Sequence, residues 1–200
     1  MTAPVIIPGR VWQANSYIAD NILIDAGVTP DRIAPYKENI DTIVLTHGHY
    51  DHIVHAQEIA DLCEADIYIG EDDFDFLSDA SLSLARHFGA DQPVIKSAGT
   101  LADGGRIGRF TVYHTPGHTI GSICLFSEPD GVLICGDTVF PEGSYGRCDL
   151  PSGNIQDMKE SLKRLAELPV ESVWCGHGEP VPENARPGLL LSAGNAEDDA

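Results

Sequence analysis

The stretch Thr46-His47-Gly48-His49-Tyr50-Asp51-His52 decides the fold of this chain, and it follows the apolar run Ile43-Val44-Leu45. Four of its residues are potential metal ligands: His47, His49, Asp51 and His52. Alternate residues of an extended chain point the same way, so the first two histidines can reach one metal ion. The chain then turns, which directs the aspartate and the last histidine towards a second ion. Zinc and iron accept imidazole and carboxylate ligands together, so the stretch predicts a transition-metal site at the end of a strand.

Three further candidate ligands stand later in the chain, each after an apolar run and a glycine. They are His118 in Thr115-Pro116-Gly117-His118, Asp137 in Cys135-Gly136-Asp137, and His177 in Cys175-Gly176-His177. Each is therefore predicted on a turn at the end of a strand. Strand ends are where sheet proteins gather sites from distant parts of the sequence. Seven candidate ligands after four strands indicate a metal centre rather than core packing.

Short runs rich in Val, Ile, Tyr and Phe, bounded by turn-forming residues, predict β-strands. The predicted strands are Ser16–Ala19, Ile22–Asp25, Thr42–Thr46, Asp66–Ile69, Arg109–His114, Ser122–Phe126, Val132–Cys135 and Ser172–Cys175. Apolar residues at helical spacing predict helices. The predicted helices are Asp31–Asn39, Ile53–Glu64, Ser81–Phe88 and Ile155–Leu168. Asn154 is predicted to cap the last helix, and the mixed order predicts a sheet core with helices outside.

The length of the chain bounds its domain organisation. Single domains run to roughly 250 residues, so we expect the 200 residues to form one domain over 1–200. The stretch Asn184–Ala200 is rich in Gly, Ala and acidic residues, and we expect it to be a mobile tail.

The chain is strongly acidic: 31 Asp and Glu oppose 12 Lys and Arg, which gives a net charge of -19. Such a surface repels phosphate backbones and anionic lipids, which argues against nucleic acid and membrane partners. No apolar run approaches the roughly 18 residues of a membrane span. The start, Met1-Thr2-Ala3-Pro4-Val5, lacks the basic and apolar stretches of a secretory signal. We therefore expect a cytoplasmic protein.

The cysteine pattern argues against a structural metal site. The five cysteines, Cys63, Cys124, Cys135, Cys148 and Cys175, form no Cys-x-x-Cys pair, and their number is odd. Neither a disulfide framework nor a cysteine zinc site is therefore predicted. Structural metal sites are usually closed and rich in cysteine, so a binding module with a structural metal is disfavoured.

The order of the candidate ligands resembles the metallo-β-lactamase superfamily, whose pattern is His-x-His-x-Asp-His followed by a later His, Asp and His. The resemblance runs from about Ser16 to Gly178. It implies the α+β class, a four-layer αββα sandwich with the site at one edge, and two transition-metal ions, zinc and/or iron. It also implies two ligand sets and a bridge: His47, His49 and His118 for the first ion, Asp51, His52 and His177 for the second, and Asp137 for both.

Within the superfamily, the segments Thr115–Ser122 and Gly136–Pro151 resemble the short form of the glyoxalase II-like thioesterases. The resemblance implies metal-dependent hydrolysis of a small-molecule substrate, a small acyl-thioester. In that reaction a metal-bound hydroxide attacks the thioester carbonyl, and Asp51 is the catalytic residue that orients the hydroxide. A basic residue near Arg147 binds the thiol carrier in glyoxalase II. Arg147 is therefore a candidate substrate-binding residue, and Tyr145 is a second one.

Two other activities fit much of the same pattern. Persulfide dioxygenases share the fold and an Arg-x-Asp sequence after the bridging aspartate, as in Arg147-Cys148-Asp149. They use a single iron held by two histidines and one carboxylate. Hydrolases of other esters, such as lactones or phosphodiesters, are the second alternative. Leu150-Pro151 favours the thioesterase-like branch, and metal content together with oxygen consumption separates the two reaction types.

We expect the temperature of thermal unfolding to rise as salt increases from low to molar concentration. The acidic residues repel one another across the folded surface, and the Debye length falls from about 10 Å at 0.1 M salt to about 3 Å at 1 M. Circular dichroism melts in increasing NaCl measure this. An unfolding temperature that stays constant or falls with added salt contradicts the expectation.

Overall fold

The computed structural model describes residues 3–199, which divide into two compact units at Leu101 and Ala102. Each unit contains one mixed β-sheet and several helices. The single domain expected over 1–200 remains a prediction.

The first unit is built on a six-stranded sheet. Its strands, in spatial order, are β1 Val5–Ile7, β2 Ser16–Ala19, β3 Ile22–Ile24, β4 Thr42–Leu45, β5 Asp66–Gly70 and β6 Gly99–Leu101. The pairs β1–β2 and β2–β3 are antiparallel, whereas β3–β4, β4–β5 and β5–β6 are parallel. The carboxyl ends of β3 and β4 therefore meet at one edge of the sheet. Asp25 follows β3 and Thr46 follows β4 at that edge.

The helices of the first unit pack on this sheet through an apolar core. The α-helices are α1 Pro30–Ile33, α2 Tyr50–Ile53 and α3 Ala56–Cys63, and the 3₁₀ helices are Ala34–Asn39, Glu71–Leu77 and Ala85–Phe88. The α3 helix buries Ala56, Ile59 and Ala60, which recur at the spacing of one helical face. These side chains join a core that includes Ile43 and Leu45 of β4.

The second unit is built on a five-stranded sheet. Its strands, in spatial order, are β11 Ser172–Cys175, β10 Val132–Gly136, β9 Ile123–Ser127, β8 Phe110–His114 and β7 Arg106–Ile107. The β10–β11 pair is parallel and the other pairs are antiparallel. The strands β8, β10 and β11 therefore run in the same direction, and their carboxyl ends lie at one edge of the sheet. The segments that carry His118, Asp137 and His177 leave the sheet at this edge.

The helices of the second unit are α4 Ile155–Ala166, α5 Arg186–Asp199 and a 3₁₀ turn at Pro141–Gly143. Asn154 caps α4 as predicted, because its Oδ1 accepts hydrogen bonds from the backbone N–H groups of Gln156 at 2.8 Å and Asp157 at 3.3 Å. None of the helices within residues 3–199 is both long enough and apolar enough to cross a membrane.

The eight predicted strands are confirmed, each within one residue of its predicted ends. The prediction of a helix over Ser81–Phe88 is wrong for its first half. Leu84 has a φ of 65°, which an α-helix does not allow, so only the 3₁₀ turn at Ala85–Phe88 forms. Three strands were not predicted, namely β1, β6 and β7, and each has only two or three residues.

The composition of 184–200 indicated no helix, yet α5 occupies Arg186–Asp199. Its buried side chains are few and mostly small, so the sequence shows little apolar periodicity: Leu189, Ser192 and Ala196. The Ser192 hydroxyl and the Asn195 amide donate hydrogen bonds to carbonyls of segment 143–144 at 2.9 and 2.8 Å. The expected mobility of this stretch remains a prediction.

Candidate metal centre

The metal-binding stretch of the first unit starts where β4 ends, and His49 is the N-cap of α2. Both His47 and His49 are buried. Nε2 of His47 lies 3.1 Å from Nδ1 of His49, and Thr46 Oγ1 lies 3.2 Å from the other ring nitrogen of His47. Two nitrogens bound to one tetrahedral zinc, each about 2.0–2.1 Å from it, are about 3.3 Å apart. The spacing therefore fits two neighbouring ligands of a single ion.

Gly48 is required between these two histidines by close packing. A Cβ atom at this position would lie 2.2 Å from Cβ of Phe76, whose ring centroid is 6.3 Å from that of His49. The Gly48 N–H also donates a 2.9 Å hydrogen bond to the fully buried carboxylate of Asp73. Any larger residue would displace Phe76 and disturb the position of His49, a constraint that the sequence pattern alone did not reveal.

His52 is held by Asp25, a residue that sequence reasoning missed as part of the site. Asp25 is 1% exposed, and its Oδ2 accepts a 2.8 Å hydrogen bond from Nδ1 of His52. Its Oδ1 accepts a 2.8 Å bond from the Thr46 N–H. With the proton on Nδ1, His52 presents the lone pair of Nε2, which lies 3.9 Å from Oδ2 of Asp51. The only feature of the sequence that pointed to Asp25 is its position directly after the apolar run of β3.

The second unit brings its three predicted ligands together. Oδ2 of Asp137 lies 3.6 Å from Nε2 of His118 and 3.6 Å from Nε2 of His177. His118 donates from Nδ1 to the carbonyl of Arg147 at 2.9 Å, so its Nε2 is the atom directed at Asp137. One carboxylate oxygen is thus equidistant from two imidazole nitrogens, which suits a carboxylate shared between two ions.

The segment Tyr145–Asp149 lies beside these ligands. A Cβ at Gly146 would be 1.9 Å from the carbonyl oxygen of Asp137, so the backbone passes close to that residue. The guanidinium of Arg147 is bound by Asp149, with two contacts of 2.7 Å, and lowers the pKa of that carboxyl to about 2. The Tyr145 hydroxyl donates to Asp199, and burial together with this carboxylate raises the pKa of Tyr145 to about 12.

Residues 3–199 contain three groups of side chains that could hold a metal ion. Every member is a histidine or an aspartate, and the groups together comprise the seven predicted ligands: His47, His49, Asp51, His52, His118, Asp137 and His177. No cysteine belongs to any of the groups. A nitrogen and oxygen donor set with this many imidazoles suits zinc or iron better than calcium or magnesium.

Two mixed sheets with helices and a histidine–aspartate cluster define a metal-dependent protein of the α+β class. Residues 9–177 match the family model described as the metallo-beta-lactamase superfamily. The chain belongs to this superfamily, and the resemblance predicted from the ligand pattern is confirmed.

Three relatives are similar over most of this chain. An uncharacterised protein from Aquifex aeolicus is 37% identical over 191 residues, which cover 88% of this chain and 90% of that protein. The probable metallo-hydrolase YqgX from Bacillus subtilis is 33% identical over 181 residues, covering 83% and 85%. A hydroxyacylglutathione hydrolase from Salmonella typhi is 29% identical over 191 residues, covering 94% of this chain and 68% of that enzyme.

Two crystal structures match nearly the whole chain. The structure of TTHA1623 in a di-iron-bound form has a TM-score of 0.80 and 29% identity, covering 96% of this chain and 97% of that one. The structure of the BLEG-1 B3 metallo-beta-lactamase has a TM-score of 0.82 and 27% identity, covering 99% and 97%. The predicted metallo-β-lactamase fold is thereby confirmed, and the chain is a metallo-hydrolase of this superfamily.

Replacing Asp25 should weaken metal binding without removing a predicted ligand. We expect Asp25→Asn to lower the affinity for zinc by about 10- to 100-fold, because groups that orient a ligating histidine contribute on this scale. Competition with a chromogenic chelator measures the affinity. Asp31→Asn is the matched control, since Asp31 is an exposed aspartate of the same unit. An Asp25→Asn protein that melts normally and binds zinc as tightly as the control contradicts the assignment.

Proposed function

We propose that this chain hydrolyses small acyl-thioesters at a centre of two transition-metal ions, zinc and/or iron. In this proposal the first ion is held by His47, His49 and His118, the second by Asp51, His52 and His177, and Asp137 is shared. The observation that carries the proposal is the position of the Asp137 carboxylate, whose Oδ2 is 3.6 Å from both His118 and His177.

Three further observations support two ions rather than one. Two of the three groups of possible ligands coincide with the sets implied by the family resemblance. One consists of His47, His49 and His118, and the other of Asp51, His52 and His177. Seven donors also exceed the four that one tetrahedral ion uses. The similar protein TTHA1623 was crystallised in a di-iron-bound form.

Bound ions of this type lower the pKa of water from 15.7 towards about 7 and polarise a carbonyl oxygen. Asp51 then acts as the catalytic residue that accepts a hydrogen bond from the attacking water and orients it towards the thioester carbonyl. Its side chain is 14% exposed and lies next to Nε2 of His52, so it is accessible at a fixed position. The thiolate that leaves is a weak base, so the reaction needs no strong general acid.

The choice of a thioester rests on two likenesses. The segment Gly136–Pro151 resembles the short glyoxalase II-like thioesterases, and it supplies Asp137 and the carbonyl that orients His118. One of the relatives is a hydroxyacylglutathione hydrolase. Lactones and phosphodiesters lack this support.

We expect the purified protein to contain two ions per chain and to hydrolyse S-D-lactoylglutathione. Asp137→Ala should lose metal and turnover together, because the shared carboxylate is removed. His55→Ala is the matched control: His55 lies three residues after His52 but bonds Glu58 at 2.8 Å and belongs to none of the ligand groups. Elemental analysis gives the metal content, and loss of thioester absorbance gives the rate.

Each contrary outcome points to a different failure. One iron per chain, with oxygen consumption on glutathione persulfide and no thioester hydrolysis, would establish the dioxygenase instead. Full hydrolysis after exhaustive chelation would remove the metal from the mechanism. Normal metal content in Asp137→Ala would show that this carboxylate is not a shared ligand.

We propose that Arg147, with Tyr145 beside it, binds a carboxylate of the thiol carrier. The Arg147 side chain is 63% exposed, and its guanidinium suits such a group through paired hydrogen bonds. Asp149 already occupies that fork through two hydrogen bonds of 2.7 Å, and Arg147 lowers the pKa of its carboxyl to about 2. The substrate carboxylate therefore competes with Asp149, which favours weak binding of any one carrier.

If the substrate carboxylate competes with Asp149 for Arg147, replacing these two residues should change KM in opposite directions. Arg147→Ala should raise KM for carriers with a carboxylate and leave kcat nearly constant, as expected when uniform binding is lost. Asp149→Asn should lower KM for the same carriers, because it frees the guanidinium. Steady-state kinetics with lactoylglutathione and with an uncharged thioester measure both effects. The role of Arg147 is excluded if neither variant changes KM for the charged carrier.

We further propose a cytoplasmic location and a small-molecule substrate without nucleic acid or membrane partners. The net charge of -19 supports this, because it opposes binding to polyanions. All five cysteines are free, as is usual where thiols are kept reduced.

A further inference from the structure

We propose that a cluster of three aromatic rings, Trp12, Tyr50 and Phe88, binds an apolar group of the thioester substrate. The proposal rests on the proposed function and adds the substrate class: thioesters with an apolar group in the acyl or the thiol part. This aromatic cluster lies in the first unit, and each ring comes from a different segment of the chain.

The three rings form a contiguous apolar surface. Their centroids are 5.6 Å apart for Trp12 and Tyr50, 5.1 Å for Trp12 and Phe88, and 5.2 Å for Tyr50 and Phe88. These distances are those of rings in direct contact. The cluster therefore has no space between its rings for a cation, and it offers its outer surface instead. Trp12 is 39% exposed and Phe88 38% exposed, so that surface is accessible.

The aromatic cluster is attached to the metal-binding stretch on both sides. Tyr50 stands between the predicted ligands His49 and Asp51. The segment that carries Trp12 is joined to the stretch by a 3.2 Å hydrogen bond from the Ala14 N–H to the Asp51 carbonyl. The segment that carries Phe88 is joined by a 2.7 Å bond from the Tyr50 N–H to the Ser83 carbonyl. One ring of the cluster, that of Tyr50, is thus adjacent in sequence to two proposed ligands. The segments that carry the other two rings are hydrogen-bonded to the same stretch.

The turn that carries Trp12 combines backbone strain with exposed apolar side chains. Val11 has a φ of 58°, a conformation that β-branched residues rarely adopt, and its side chain is fully exposed. The turn is closed by a 3.0 Å hydrogen bond from the Gln13 N–H to the Arg10 carbonyl. Exposed apolar surface and backbone strain both cost stability, and they concentrate where a ligand binds.

The aromatic cluster offers no charged group to a ligand. An apolar group can therefore contact the rings without the long-range repulsion that a net charge of -19 exerts on an anionic group. Contact of one phenyl group with this surface should change KM by about tenfold, given the free energies of apolar burial and aromatic contact.

The test compares three thioesters: S-ethyl thioacetate, S-ethyl 3-phenylthiopropionate and S-(2-phenylethyl) thioacetate. The wild type should have a lower KM for at least one of the two phenyl thioesters than for S-ethyl thioacetate. A preference for S-ethyl 3-phenylthiopropionate indicates that the acyl part contacts the rings, and a preference for S-(2-phenylethyl) thioacetate indicates the thiol part. Trp12→Ala and Phe88→Ala should abolish that preference by raising KM about tenfold, with kcat little changed. Trp12→Phe should retain most of it. Phe74→Ala, which removes a 44% exposed ring outside the cluster, should have no effect.

A binding measurement separates this proposal from the proposed function. The chain has two tryptophans, of which Trp12 is exposed and Trp174 is only 5% exposed. The fluorescence of Trp12 should therefore change when the non-hydrolysable thioether ethyl 2-phenylethyl sulfide binds. If the wild type hydrolyses none of the thioesters but binds the thioether, the function fails and the aromatic site stands. If the thioether does not bind, or if Trp12→Ala and Phe88→Ala keep the wild-type preference, the aromatic site is overturned.

Discussion

The hydrogen bond between Asp25 and His52 is the interaction on which the metal centre of the first unit depends. Asp25 accepts from His52 at 2.8 Å and from the Thr46 N–H at 2.8 Å, so one buried carboxylate contacts both ends of the ligand stretch. Thr46 in turn lies 3.2 Å from His47. A buried carboxylate is costly unless donors satisfy it, and charge-assisted hydrogen bonds are the stronger kind. Asp25 therefore positions His52 directly and His47 through Thr46.

Both units orient their imidazoles by the same means. Nδ1 of His52 is held by the Asp25 carboxylate, and Nδ1 of His118 is held by the Arg147 carbonyl. In each case Nε2 is the atom left to face the predicted ligands. Parallel neighbours make this arrangement possible: β3 with β4 in one sheet and β10 with β11 in the other bring successive strand ends to the same edge. The chemistry follows from strand direction as much as from residue type.

The sequence predicts those features whose cause is local. The ligand stretch, the strand-end positions of Asp137 and His177, and the Asn154 cap all follow from short patterns, and the structure has them where expected. Asp25 could not be recognised in this way, because its partners stand 21 and 27 residues away and meet it only through strand pairing. The need for glycine at position 48 likewise arises from Phe76, a distant residue. Helix α5 was missed because its buried face consists mostly of small residues.

The same arrangement links metal binding to folding. Asp25 and Asp73 are buried carboxylates at the ligand stretch, and Asp51 is a proposed ligand within it, so acidic side chains are concentrated in this part of the first unit, in a chain with a net charge of -19. Cations bound there offset the repulsion between these acidic side chains, which is stronger in the folded state because the side chains lie closer together. A ligand that binds only the folded state stabilises it by about 2.7 kcal/mol at a free concentration 100 times its Kd. The centre that we propose for catalysis is thus also a source of stability, because its ligands are brought together only by the folded sheets.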